Sequence, residues 1–276
     1  MLAANQVLAC VFYFLGEFDL SRKYARHGVQ MWRSGIVQGP VAEEIQAPFV
    51  NCLFYVAMCD WHFGEIASGH ALMDEAISTA KELKDWNALA LALVWAARLG
   101  CAEHNHAEVG RLASDLIELS TRHNFLPNLA LGTIYRGWAR SASGETAEGI
   151  HGIEQGIRDI RATGSVLGLS VYLAYKAEAL YLAYRASEAL QAINEAVSIA
   201  ERFEHRYCNA GLHRLRGVFL ATLGAEESQI EASFCEAIRI AKEQKSVSLE
   251  KRAEATYAEY RRRKALGEHG FRLPLC

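Results

Sequence analysis

Ala57, Ala97, Gly137, Ala177 and Gly217 follow one another at intervals of forty residues. Each sits in an apolar run such as CLFYVAMCDW, LALVWAARLG, TIYRGWARSA, YLAYKAEALY or LHRLRGVFLA. A second series lies about twenty residues later: Ala76, Ile117, Gly156, Ala196 and Ala237, with Gly28 as its first member. Around it a small residue, an apolar residue and another small residue recur at helical spacing, as in Gly69, Met73 and Ala76, or Gly149, Ile153 and Gly156, or Ala189, Ile193 and Ala196. A fixed period of this size marks a repeat array. Two antiparallel helices approach closely where small residues occupy their crossing point. A single hairpin cannot bury its apolar face, so neighbours must stack.

The spacing predicts A helices over 3–15, 43–63, 87–100, 128–143, 166–183, 206–223 and 247–264, and B helices over 18–33, 66–84, 107–124, 147–163, 187–203 and 226–243. Short segments, among them FGEI, EHNHAE, SGETAE and LGAEE, separate A from B, and several start on the glycine expected after a helix. The longest linker is RSGIVQGPVAEE, 33–44. Only four prolines interrupt 276 residues, which suits long helices. The expected fold is all-α. It is a right-handed α-solenoid of about six hairpins with a period of about 40 and a closing helix, forming one domain over 1–276. A helix follows Met1 almost at once, without a polar cap, so either more sequence belongs upstream or another domain covers this end.

A formal net charge of −3 lacks the basic excess of a nucleic-acid binder. The apolar N-terminus is too short to span a bilayer. Seven cysteines, an odd number without a CxxC pair, suit buried thiols in a reducing compartment. The expectation is a cytoplasmic protein that uses neither nucleic acid nor membrane and has no cofactor.

GETAEGIH, 144–151, has two glycines at the spacing of a phosphate loop. Ile150 and His151 stand where that loop needs lysine and a hydroxyl, so its glycines read as turn and packing positions. Cys101, His104 and His106 form one group of soft metal donors, and Cys59, Asp60 and His62 another. Each lacks the second ligand pair of a structural zinc site. Paired acids at 43–44 and 226–227 complement helix starts, and the basic run RRRK, 261–264, complements a helix end.

One series asks for a binding role. A basic residue precedes the small column in Arg136, Lys176 and Arg216, and Arg252 continues the series. Stacked A helices would set these side chains in a ladder on the concave face, where a protein or an acidic peptide could be gripped. The competing reading is ion pairing inside the stack, with acids such as Glu178 and Glu254. Trp138 and Tyr172, with Trp95, Tyr135 and Tyr175, would floor the same groove or belong to the core. A small-molecule sensor, or a hydrolase or metal site between hairpins, are the alternatives to a non-catalytic interaction scaffold.

The hairpins resemble a degenerate tetratricopeptide repeat. Segments such as FYFLGEFDLSRKYARHGVQMW, GWARSASGETAEGIHGIEQGI and SFCEAIRIAKEQKSVSLEKRAEATYAEY resemble the C-terminal repeat region of bacterial signalling proteins. In those proteins a nucleotide cyclase or a winged-helix domain and an AAA-type ATPase come first. The resemblance implies a regulatory scaffold, with such an ATPase or cyclase module as a candidate partner. No catalytic motif of those modules occurs here, so the resemblance carries over no catalytic residue.

Overall fold

The structure, a computed structural model, describes residues 1–35, 46–268 and 272–275. The described residues form thirteen α-helices and no strand. They are α1 (Leu2–Phe14), α2 (Phe18–Arg33), α3 (Gln46–His62), α4 (Ile66–Glu82), α5 (Trp86–Ala102), α6 (His106–His123) and α7 (Leu126–Ala142). There follow α8 (Thr146–Ala162), α9 (Leu169–Leu182), α10 (Ala186–Arg202), α11 (Asn209–Thr222), α12 (Glu227–Glu243) and α13 (Val247–Ala265). Odd-numbered helices through α11 are the A helices of six hairpins, and α13 closes the series. Starts differ from expectation where the turns intervene: Gly168, at φ +78°, delays α9, and a short 3₁₀ turn, Arg206–Cys208, precedes α11. From residue 36 the expected linker, with Glu43 and Glu44, lies outside the described residues.

The chain divides into two compact units, Met1–Tyr135 and Arg136–Cys276, with α7 running through the boundary. In the first, the α3/α4 hairpin closes on Ala57 and Gly69: a Cβ on Gly69 would stand 2.9 Å from the Ala57 carbonyl oxygen. In the second, α7 and α8 cross at Gly137 and Gly149, each lying against the other's carbonyl. Column residues Ala57, Ala97 and Ala177 are wholly buried, as the spacing requires. One member of the second series is displaced. Leu116 is fully buried, whereas Ile117 is half-buried and its side chain fills the space left by Gly132 on α7.

The turns repeat as regularly as the helices. Gly16, Gly64, His104, Gly144, Tyr184 and Gly224 each take a positive φ between A and B helices. Lys84, Asn124, Gly164, Glu204 and Lys245 do so between B and A. At most of these turns the following N–H donates back to a carbonyl five residues earlier, as Glu65 to Asp60, Asn105 to Gly100 and Glu145 to Arg140. This is the Schellman closure, which satisfies orphan carbonyls at a helix end. Asp85, Asn105 and Ser246 cap the helices that follow them by accepting from the N–H of Ala88, Glu108 and Leu249.

Candidate functional site

A polar side chain buried on an A helix calls for a partner, because an unpaired buried polar group is costly. In the second unit a polar line runs through successive A helices. Trp138 of α7 donates its indole N–H to Glu178 Oε2 of α9 at 2.6 Å, with both residues buried. Arg214 of α11, 4 % exposed, and Arg252 of α13 act electrostatically on the same carboxylate. Arg214 also donates to Thr256 Oγ1 at 3.5 Å. Burial nevertheless holds the Glu178 carboxyl above its ordinary range. Trp138 and Glu178 stand forty residues apart in one register, which is the only trace of this line in the sequence.

The basic series is drawn into the stack to different degrees. Arg136 is exposed, and its side chain forms no hydrogen bond or ion pair among the described residues. Lys176 pairs with Glu154 of α8 at 2.8 Å. Arg216 donates to Asn194 of α10 and Ser233 of α12, each at 3.0 Å, joining two B helices. Tyr172 and Tyr175 are buried with Trp138, so these rings lie in the core rather than on an open floor. The basic run ending α13 is also engaged: Arg262 and Arg263 pair with Glu259, and Lys264 with Glu227.

The metal candidates point apart. Asp60, fully buried, accepts from Arg22 at 3.2 Å, Arg26 at 3.1 Å and Ser68 at 2.7 Å. His62 stacks on Phe18 with ring centroids 3.6 Å apart, and burial pushes its imidazole down to about 3. Burial pushes the Cys59 thiol up to about 12. Cys101 is buried, His104 forms the turn and His106 is exposed at the start of α6. Among the described residues no group of three His, Cys, Asp or Glu side chains is placed to hold a metal ion. Ser170 lies 3.4 Å from both His205 Nδ1 and Cys208 Sγ. The Cys208 thiol also donates to the His205 carbonyl, so this trio fastens the turn before α11.

The chain's end supplies what the sequence reading missed. Arg272 donates to the backbone carbonyl of Tyr181, and its guanidinium lies over the rings of Tyr181 at 4.3 Å and Tyr184 at 4.2 Å. The Tyr181 hydroxyl donates to the Leu273 carbonyl at 2.9 Å and meets Thr222 Oγ1 at 3.1 Å. Leu273 and Leu275 are buried while Pro274 between them is exposed. That alternation turns Leu273 and Leu275 toward the protein and Pro274 toward solvent. In the first unit, a cleft of about 330 Å³ is lined by Arg26, Val29, Arg33, Val56, Asp60 and Leu72, among others.

The model of one family, anaphase-promoting complex subunit 5, matches residues 18–103 and 168–261, more than half the chain. An uncharacterized protein of Rhizobium meliloti (strain 1021) is 24 % identical over 204 residues, 74 % of this chain. The chain spans only 20 % of that relative's length. Among solved structures, the apo form of RapI aligns with a TM-score of 0.57 at 14 % identity, over 93 % of this chain and 99 % of its own. Bacillus thuringiensis PlcR, crystallised with the peptide PapR7 and DNA, aligns with a TM-score of 0.53 at 18 % identity, over 91 % and 98 %. Both likenesses establish a shared helical-repeat fold. Among the described residues no helix is long and apolar enough to cross a membrane.

Proposed function

The chain belongs to the anaphase-promoting complex subunit 5 family, and we propose that it is a non-catalytic, cytoplasmic interaction module that binds a protein or extended peptide on its A-helix face and regulates the machinery it accompanies. One observation carries the reading: Tyr181, near the end of α9, already holds residues 272–275 by donating to the Leu273 carbonyl and accepting from Arg272, with Leu273 and Leu275 buried. PlcR, which shares the fold, was crystallised with a peptide, and that supports the same mode of use. The Rhizobium relative is much longer than the matched stretch, which supports a repeat region working beside other modules. By the resemblance of the repeats, those modules are a cyclase or an ATPase in a signalling protein. Arg136, the exposed member of the basic series, and Lys176, held by one surface acid, are the side chains available to a partner's carboxylate, while Arg252 and Arg216 serve the stack.

Arrays of extended peptides probed with the purified chain test this reading. Retention of a defined sequence class is expected, weakened in Arg136→Ala/Lys176→Ala without loss of melting temperature. Uniform failure to retain any peptide would overturn it.

A small-molecule sensor has one observation behind it, the cleft of about 330 Å³ beside Arg26 and Asp60. Its size is near the lower end for ligand sites. A thermal shift with small acids or amines, abolished by Val56→Trp, would favour this reading.

A further inference from the structure

We propose that the chain's own segment Arg272–Leu275 is a tethered competitor for a peptide-binding seat formed by the end of α9 and the turn that follows it, and that the external ligand of this seat is an extended peptide with a basic residue followed by leucine, any residue and leucine. The proposal rests on the reading of the chain as a peptide-binding module and adds a seat other than Arg136 and Lys176, with its ligand class and its regulation.

The seat recognises each part of the segment by a different means. Position one is read by charge: the Arg272 guanidinium stacks on two tyrosine rings and donates to the Tyr181 carbonyl. A cation over an aromatic face is favoured by the ring quadrupole, and a planar guanidinium fits that role better than an ammonium. Positions two and four are read by burial, with Leu273 at 1 % and Leu275 at 8 % exposed. Position three points to solvent, and its proline leaves no N–H to be satisfied. Main-chain recognition comes from the Tyr181 hydroxyl, which donates to the Leu273 carbonyl. None of this needs the segment to belong to the same chain. The hydroxyl of Tyr181 and the ring of Tyr184, 84 % exposed even with the segment in place, would serve an incoming peptide equally. Tethering sets the competition. A covalently attached segment acts at an effective concentration of the order of millimolar, so an external peptide must match its chemistry and exceed its affinity.

The test uses the full chain and a labelled synthetic peptide, acetyl-Arg-Leu-Pro-Leu-amide, followed by fluorescence anisotropy. Leu273→Asp/Leu275→Asp should release the end and tighten peptide binding at least tenfold over the unaltered chain. Adding Tyr181→Phe to that variant should weaken it again by roughly fivefold, the worth of one hydrogen bond. Arg272→Ala is the milder second variant, and circular dichroism checks that each folds. Equal binding to the unaltered and released chains would overturn the tethered competitor. So would failure of this peptide while other peptides on the array are retained, and in both cases the peptide-binding reading survives. Failure of every peptide, on the released chain as on the unaltered one, overturns both. A released or unaltered chain that dimerises by light scattering, with the dimer lost in Tyr181→Phe, would assign the seat to a second copy's end and overturn the proposal as stated.

Discussion

Trp138 and Glu178 occupy one register on successive A helices of the second unit, and the indole N–H of the first meets the buried carboxylate of the second at 2.6 Å. A charged acceptor in the interior needs its donors, because a buried group left without one keeps the full cost of desolvation. Trp138→Phe should therefore destabilise the protein by about 1–3 kcal/mol through the lost hydrogen bond alone. Urea unfolding measures it, and an unchanged midpoint would show that the bond contributes nothing.

The same carboxylate predicts a pH dependence. Its folded value is raised above 4.5, first by burial, against the opposing pull of Trp138, Arg214 and Arg252. A raised folded value gives a contribution that is complete below 4.5 and is lost as pH climbs through the folded value. Glu178→Gln should flatten that part of the stability profile. Parallel profiles for the two proteins would rule the assignment out.

His62 acts in the opposite sense. Burial against Phe18 lowers its imidazole from 6.5 to about 3. A lowered folded value gives stability that is complete above 6.5 and is lost progressively as pH falls toward 3. Replacing His62 with phenylalanine should remove this acid sensitivity, read as melting temperature from pH 7 to pH 4. Persistence of the full slope in the variant would trace it to other groups.

The crossing of α7 and α8 admits no side chain. A Cβ on Gly137 would lie 2.6 Å from the Gly149 carbonyl oxygen and 2.9 Å from the Ile153 nitrogen. Both are backbone-anchored, so Gly137→Ala should cost about 1–3 kcal/mol by overpacking. Gly211, in α11, has nothing within 4 Å of the same position. Gly211→Ala should instead stabilise by about 0.4–1 kcal/mol, through the entropy of the unfolded chain. Equal effects at the two sites would refute the close crossing.

Lys84 is exposed at φ 53°, in the B-to-A turn that Gly164 occupies two hairpins later. A left-handed backbone costs an L-residue roughly 1–2 kcal/mol that glycine does not bear. Lys84→Gly should gain part of this, about 0.5–1 kcal/mol after glycine's greater entropy loss. A lower melting temperature would mean that the lysine side chain contributes more than the strain.

Helix order, hairpin pairing and the small residues at Ala57, Ala97, Gly137, Ala177 and Gly217 were determined by the sequence itself. A periodic pattern of apolar and small residues repeats the same local solution every forty positions, and glycine marks many of the turns. His104, Tyr184 and Lys84 hold the same turns without that mark, because the Schellman hydrogen bonds impose the backbone whatever the side chain. At Ile117 the column departs from the core: one step along a helix turns a side chain by about 100°, so Leu116 lies in the core and Ile117 at its edge. The fate of the basic series was decided only by tertiary structure. Arg136, Lys176 and Arg216 look alike in one dimension, yet what each meets depends on other helices, such as α8 for Lys176 and α10 with α12 for Arg216. The seating of Arg272 and Leu273 on Tyr181 was decided the same way, by a contact across about ninety residues that no local pattern encodes.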